Sequence, residues 1–404
     1  MRIRLHRILK LFDLQIRMGN EMLLERLKKR HRGQIRAVDF VVSLLLFLLM
    51  LSQLVLIIIN VQSGIIYSEG ISLTYDELDL LGRSLLQEEG DLYWGYNRVL
   101  PNSFGLSADD SQHYLALDAA KISRIITGTS FSISSVSGFE MYDYDTLKSS
   151  LNLKTSLDFL LAIYPCIDLE VNVSTINATA NNVELLVTNP HNIPISNAQA
   201  HFFVLDLSTG NIVQKYVFLT NNDGKINSDY QKPINEHMIF IIVEKGALWG
   251  MTWGTTDNDI IVGFPSNTTI WGGAINSTTL LVTDILELTG TLDSHYLSFI
   301  YKDTQSNYSN VTLDISGNSD GNESISVPNE GIVTFFSIAS FNNVYRVGIG
   351  SFPAILDRDQ TNGIFYQMFG KLIPSTRIKS MLSKTYPIIV RGTLMRCKIT
   401  LWSE

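Results

Sequence analysis

Leu169-Glu170-Val171-Asn172-Val173-Ser174 alternates apolar and polar side chains without a break. Successive side chains of a strand point to opposite faces, so this stretch predicts a half-buried β-strand. It marks the place, just past Pro165, where helical spacing gives way to alternation. Further strands are expected at Val183 to Thr188, Ala200 to Asp206, Ile212 to Leu219 and Met238 to Glu244. Turn clusters separate them at Asn189 to Pro194, Ser208-Thr209-Gly210 and Asn221-Asn222-Asp223-Gly224. Short strands at this spacing predict a sandwich of two sheets. A second β-rich portion runs from 266 to 404, with strands expected at Leu280 to Leu286, His295 to Tyr301, Val311 to Ile315, Ile332 to Ile338 and Tyr345 to Ile349. The final stretch, Ile388 to Trp402, reads as two strands about a Gly-containing turn, which ties the last strand into a sheet.

Before Pro165 the apolar residues recur at helical intervals. Thr74 and Glu77 have the spacing of a capping box, and Leu73 and Leu78 that of a hydrophobic staple. Leu78, Leu81 and Leu85 continue one face, which predicts a helix of roughly 13 residues. Asp118-Ala119-Ala120-Lys121-Ile122 opens a second helix, and Tyr144, Leu147 and Leu151 line a third.

Further upstream stands Phe40 to Ile59, FVVSLLLFLLMLSQLVLIII, with neither Pro nor Gly. A helix of about 20 such residues spans the hydrocarbon core of a bilayer. The run is longer than the apolar region of a secretory signal peptide. Residues 1 to 36 carry eleven Lys/Arg against three Asp/Glu, and the remainder 20 against 36, so a net of +8 faces a net of −16 across the span. Positive flanks stay inside, which puts the N-terminus in the cytoplasm and the bulk of the chain outside. The expected class is α+β: a single N-terminal transmembrane helix, a small helical juxtamembrane region, and a β-sandwich-like ectodomain. The expected organisation is a basic cytoplasmic leader (1–36), the transmembrane helix (37–60), the helical juxtamembrane region (61–165), an immunoglobulin-like β-sandwich (166–265) and a second β-rich domain (266–404).

Composition removes several classes of function. Two cysteines in 404 residues cannot make a disulfide framework or a four-cysteine zinc site. A net charge of −8 argues against a nucleic-acid binder. The seven histidines form no His-x-x-x-His pair, and none lies within four residues of Cys166 or Cys397, so no metal is expected. No phosphate-binding loop, dinucleotide fingerprint or Gly-x-Ser-x-Gly elbow is present, so neither a cofactor nor catalysis is expected. The Asn/Asp/Gly loops at 221–224 and 318–323 do not fit a twelve-residue calcium loop and read as turns. Cys166 and Cys397 either form a disulfide joining the start of the β-region to its last strand or remain two buried thiols. Seven Asn-X-Ser/Thr sequons, headed by Asn172, Asn177, Asn267, Asn276, Asn307, Asn310 and Asn322, fall on the expected outer side and are candidate glycosylation sites.

Two resemblances sharpen this reading. Arg32-Gly33-Gln34-Ile35-Arg36-Ala37-Val38-Asp39-Phe40 resembles the class III signal peptide of archaeal type IV pilin-like surface proteins. The resemblance implies cleavage between Gly33 and Gln34 by a prepilin peptidase, and assembly with other pilin-like subunits in which Asp39 neutralises a neighbour's free amine. The ordered set Gly90-Asp91, Trp94, Phe104-Gly105-Leu106, Leu117-Asp118, Lys121, Tyr144, Leu147-Lys148 and Leu151 is similar to the head region that follows the membrane helix in many such proteins. Ser196 to Ala200, a strand, Gly210, a strand and Thr220 to Gly224 resemble immunoglobulin-like or carboxypeptidase-regulatory-like modules, which implies a spacer or adhesion unit. The expected function is a non-enzymatic, membrane-anchored minor or accessory pilin-like component at the cell surface. An uncleaved single-pass binding or receptor-like module predicts the same topology. An extracellular hydrolase is the third reading.

Overall fold

The computed structural model describes residues 75–403 except 110–114, 126–134, 137, 152, 155, 258–259, 263–267, 287–292, 317–321, 329–330, 343, 353–356, 359–364, 372, 374–377 and 379. Among the described residues no helix is long and apolar enough to cross a membrane. The expected span 37–60, Gly33, Gln34, Asp39 and Asn267 lie outside the described residues.

The chain is mostly β. Seven consecutive strands form the sandwich expected past Pro165. One sheet pairs Asp168–Asn177, Ala180–Thr188 and Lys225–Gln231 in that order. The facing sheet runs Leu248–Gly254, His237–Lys245, Gln199–Asp206, Ile212–Leu219. Leu169, Val183, Leu185 and Val187 from the first sheet pack with Ala200, Phe202, Val204, Ile239, Ile241 and Val243 from the second. Asx and glycine chemistry makes the turns. At 221–224 the Asn221 side chain accepts from the amides of Asp223 and Lys225 (2.9 and 2.8 Å), and Gly224 (φ +69°) lies so close to Val187 that a Cβ would stand 2.4 Å from its carbonyl oxygen.

The same strands are also buried on their other face. In His237–Lys245, Met238, Phe240 and Ile242 point away from the sandwich core and join Phe203, Leu205 and Met251 in a second, larger core. A five-stranded sheet covers them, in the order Ile260–Val262, Val344–Phe352, Val333–Phe341, Ser294–Lys302, Tyr308–Asp314. Phe336 meets Phe240 edge-on at 4.8 Å, and the Thr334 hydroxyl lies 3.8 Å from the Met251 sulfur. Phe335, on the opposite face, packs over Gly350 of the neighbouring strand and Gly272 of a three-stranded sheet built from Thr268–Asn276, Thr279–Leu286 and Asn322–Ser326. Two strands, 237–245 and 333–341, are therefore apolar on both faces, which is why they read as near-continuous hydrophobic runs.

The remaining strands extend the second sheet. Leu157–Pro165 lies between Phe365–Gly370 and Thr393–Ser403, and the last of these forms the expected C-terminal hairpin with Ser380–Val390 through an Arg391-Gly392 turn, both residues left-handed (φ 48° and 77°). Leu394 and Leu248 join this part to the sandwich sheet. Two expected boundaries are thereby corrected. Leu157–Pro165 is a strand rather than part of a helical region, and one sheet contains strands from both sides of 165/166 and 265/266. Ser72–Glu404 is a single compact unit, because hydrophobic faces at both boundaries find their cover across them.

If the shared burial of 237–245 unites the layers, Phe240→Ala and Ile241→Ala, which point into different cores, should both lower stability, by about 3–5 and about 2–5 kcal/mol. Urea unfolding should remain one transition, with tryptophan fluorescence and far-UV circular dichroism coincident. Two separated transitions in either variant would show that the layers fold independently.

Candidate functional site

The ordered motif set upstream of the sandwich closes into one packed centre. The helix over 75–86 buries Leu78, Leu81, Leu85 and Leu86. The chain then passes so close to itself that two glycines are required. A Cβ on Gly90 (φ +72°) would stand 2.6 Å from the Ser103 carbonyl oxygen, and one on Gly105 2.1 Å from that of Glu88. Trp94 fills the space so framed. Its indole N–H donates to the Gly105 carbonyl at 2.9 Å, and its ring lies 5.7 Å from both Phe104 and Tyr142.

Lys121 enters this apolar setting fully buried, on the short helix Ala119–Ile122. Gly95 permits it, since a Cβ there would stand 2.6 Å from the Lys121 amide nitrogen. The ammonium donates to three oxygens: Glu89 carbonyl at 2.8 Å, Ser107 carbonyl at 2.9 Å and Asp109 Oδ1 at 2.6 Å. Asp109 is almost as sealed, its side chain 4% exposed, and its other oxygen accepts from the Tyr93 amide at 2.8 Å. Asp118 caps the short helix through the Ala120 amide (2.7 Å). Burial raises its pKa, against the pull of that amide and of Lys121.

A second buried cation lies beside the first. Arg124 donates to the carbonyls of Glu140, Asn97, Gly95 and Arg98, and its guanidinium lies 5.3 Å from the centre of the Phe139 ring. Burial lowers its pKa to about 10, with Glu140 opposing. The third point is Asp158, on the 157–165 strand, which accepts from Tyr144 (2.9 Å), Lys148 (2.8 Å) and Lys371 (2.7 Å). Burial alone would raise its pKa, but the hydrogen bonds from Lys148, Lys371 and Tyr144 outweigh this and hold it below the ordinary carboxylate value. These contacts tie the helix Tyr144–Ser150 to the large sheet. The 75–86 helix is tied to the C-terminal hairpin by Asp79 and Lys384 (2.8 Å), and Gly82 seats the Tyr386 ring.

The sandwich holds one other polar cluster. His237 is buried, with Nε2 3.1 Å from the Tyr230 hydroxyl and 3.2 Å from Asn181 Nδ2, and Nδ1 3.7 Å from Asp257. Burial lowers its pKa, with Asp257 opposing, so the imidazole is neutral at pH 7. Asn181, Tyr230 and His237 are all buried, and Asp257 is partly exposed.

The sequence placed the motif set correctly but gave no sign of Asp109 as the partner of Lys121, of Arg124 as a buried cation, or of Asp158 as an acceptor of three donors. Cys166 and Cys397 are both free, which corrects the disulfide alternative. Cys397 pairs with Ile163 in the ladder and Met395 with Pro165, so Cys166 stands three positions along from its would-be partner, about 10 Å at strand rise and beyond disulfide reach. Burial raises both thiol pKa values. Among the sequons, Asn172 and Asn307 are exposed, Asn177 and Asn276 sit at exposed hairpin ends, and Asn322 opens a strand. Asn310 is half-buried, and the hydroxyl of its Thr312 is held by the Gly210 carbonyl at 3.0 Å.

No protein-family model matches the chain, and no curated protein matches it. Among solved structures, the FN1–FN3 domains of chicken CNTN1 share 7% identity, over 46% of this chain and 66% of that one, with a TM-score of 0.17. A tetra-tandem repeat from the extending region of a large adhesion protein shares 16% identity, over 59% and 74%, with a TM-score of 0.19. Superpositions at these scores do not define a common fold.

Relative to the chain with the pair in its ionic state, Lys121→Met should destabilise by about 3–5 kcal/mol in urea, because Asp109 is left buried without its counter-charge. Adding Asp109→Leu should restore much of the loss. The Asp158 cluster sets the acid limit. A depressed folded pKa gives stability that is present above the unfolded value, about 3.9, and is lost as pH falls through the lower folded value. The stability gap between wild type and Asp158→Asn should therefore be widest near neutral pH and close below about pH 4. A gap that persists to pH 2 would remove the carboxylate as its source.

Proposed function

We propose that this chain is a non-enzymatic, membrane-anchored surface component, a minor or accessory member of a pilin-like assembly with a structural or adhesive role. The observation that supports the reading is that part of the ordered set, Gly90, Trp94, Phe104, Gly105, Asp118 and Lys121, packs together in the segment that follows the apolar stretch, while Tyr144 and Lys148 reach Asp158 on the large sheet. The clamp between the 75–86 helix and the C-terminal hairpin adds support, because it carries a pull on the anchored end straight into antiparallel strands.

In this reading the bilayer holds residues 37–60, the leader 1–36 is cytoplasmic and a prepilin peptidase cuts between Gly33 and Gln34. Asp39 then pairs with a neighbouring subunit's amine, and the exposed sequons Asn172, Asn177, Asn276 and Asn307 carry glycans. A folded part of more than 300 residues is bulky for a major subunit, which favours a tip or accessory position.

The mature N-terminus decides between assembly and simple anchoring. Protein recovered from membranes should begin at Gln34, and a chain that keeps residues 1–33 removes the pilin machinery. Protease added to intact cells should degrade everything beyond about Gln62, whereas digestion only after permeabilisation would reverse the topology. Asp39→Ala should leave insertion intact and abolish recovery of high-mass complexes.

A further inference from the structure

We propose that Lys121 and Asp109 condense into an intramolecular amide, a covalent cross-link between the Lys121 Nζ and the Asp109 Cγ. The inference is independent of where the protein resides, because it needs only the folded centre.

Three observations lead to it. The two side chains are already in contact, with Nζ 2.6 Å from Oδ1 of the carboxyl it would attack, and both are sealed from water (0% and 4% exposed). Sealing removes the competing reaction, hydrolysis, and raises the free energy of two opposite charges that a neutral amide would eliminate. The second observation is the geometry of the ammonium. Two of its N–H bonds are fixed on the Glu89 and Ser107 carbonyls at 2.8 and 2.9 Å. When the third proton passes to Asp109 Oδ1, these two bonds stay in place, and rotation of the Asp109 carboxyl brings Cγ in front of the lone pair so created. Two backbone carbonyls thus hold the nucleophile beside the carboxyl. The third is a neighbouring carboxyl, Asp118, which stands three positions before Lys121 and caps the same short helix through the Ala120 amide at 2.7 Å. In the proposed step it is the second proton carrier.

The step balances without an external reagent. The Lys121 ammonium gives a proton to the Asp109 carboxylate, leaving amine and carboxylic acid. Nζ adds to Cγ and the Nζ–Cγ bond forms. A second proton moves from nitrogen to the departing oxygen, the Cγ–O bond breaks with its electron pair, and water leaves. The amide keeps one N–H for a backbone carbonyl. Nothing is oxidised or reduced. The product closes a ring from 109 to 121, which restricts the unfolded chain as a disulfide would, in a protein whose two cysteines are free.

Trypsin supplies the test, applied to the denatured full-length protein. Cutting after Arg98, Lys121 and Arg124 releases residues 99–121 and 122–124 if the side chains are free. A cross-linked lysine is not cleaved, so the expected product is one peptide, 99–124, lighter by one water, whose fragmentation is interrupted between 109 and 121. Recovery of the linear 99–121 peptide at full mass from wild-type protein overturns the proposal. Loss of water with Lys121 still cleaved marks a cyclic imide at an aspartate and overturns it equally. Asp118→Asn keeps a helix cap while removing the acid; it should slow appearance of the 99–124 product in freshly made protein at least tenfold, and an unchanged rate removes Asp118 from the step. Asp109→Ala should give only the cleaved pair.

Discussion

Everything beyond the first sheet depends on the burial of one strand from both sides. In an ordinary two-sheet sandwich the outer face of each sheet meets water, and strands alternate apolar with polar. His237–Lys245 does not alternate: Met238, Phe240 and Ile242 are as apolar as Ile239, Ile241 and Val243, and all six are buried. Such a face cannot be left to solvent, so a third layer must cover it, and Val333–Phe341 supplies that cover with Phe336 while Phe335 turns to a fourth. Stacking of this kind explains why Ser72–Glu404 is one unit where its length alone suggests two or three.

The upstream centre is held by a different principle. Buried apolar side chains such as Leu85, Trp94, Phe104, Leu106 and Tyr142 fill it, but close backbone approach and the satisfaction of buried cations give it its particular form. Gly90, Gly95 and Gly105 each sit where a Cβ would meet backbone atoms at under 3 Å. Lys121 and Arg124, both fully buried, are answered almost wholly by carbonyl oxygens. Removing either cation would orphan several acceptors at once, whereas truncating a core apolar side chain would only lose contacts. That asymmetry makes the arrangement specific: few sequences can satisfy so many carbonyls from one side chain.

Legibility in the sequence followed locality. Helical intervals and caps are local, and the helix over 75–86, the Asp118 cap and the helix at Tyr144 stand where the spacing predicts them. Alternation is local too, and the seven-stranded sandwich was readable from it and from its turns, although Lys225–Gln231 and Leu248–Gly254 were not singled out. Leu157–Pro165 was missed because a strand enclosed within a sheet, LDFLLAIYP, shows no alternation to separate it from a helical run. The domain boundary at 265/266 failed for a related reason: continuous apolarity at Met238 to Val243 already required a second covering layer, but nothing in the local pattern says which segment provides it. Asp109 lies twelve residues from Lys121 in a loop, a spacing that belongs to no helix or hairpin rule, so their meeting is a property of the fold alone.

The two principles meet at the C-terminal hairpin. Its second strand pairs with Leu157–Pro165, next to the upstream centre, and touches the sandwich sheet through Leu394 and Leu248. Its first strand receives the 75–86 helix through Lys384 and Tyr386 and a parallel bridge from Ala116–Leu117. A force entering at the start of the helix therefore reaches the layered core through this hairpin as well as through Glu77 with Lys154 and the Leu85 carbonyl with the Leu106 amide. The hairpin strands are held along eleven paired positions, so their ladder bonds share a load along the strand axis rather than opening one at a time from an end. The hairpin thus connects the 75–86 helix, the strand beside the buried-charge centre and the layered core, joining segments that lie far apart in the sequence.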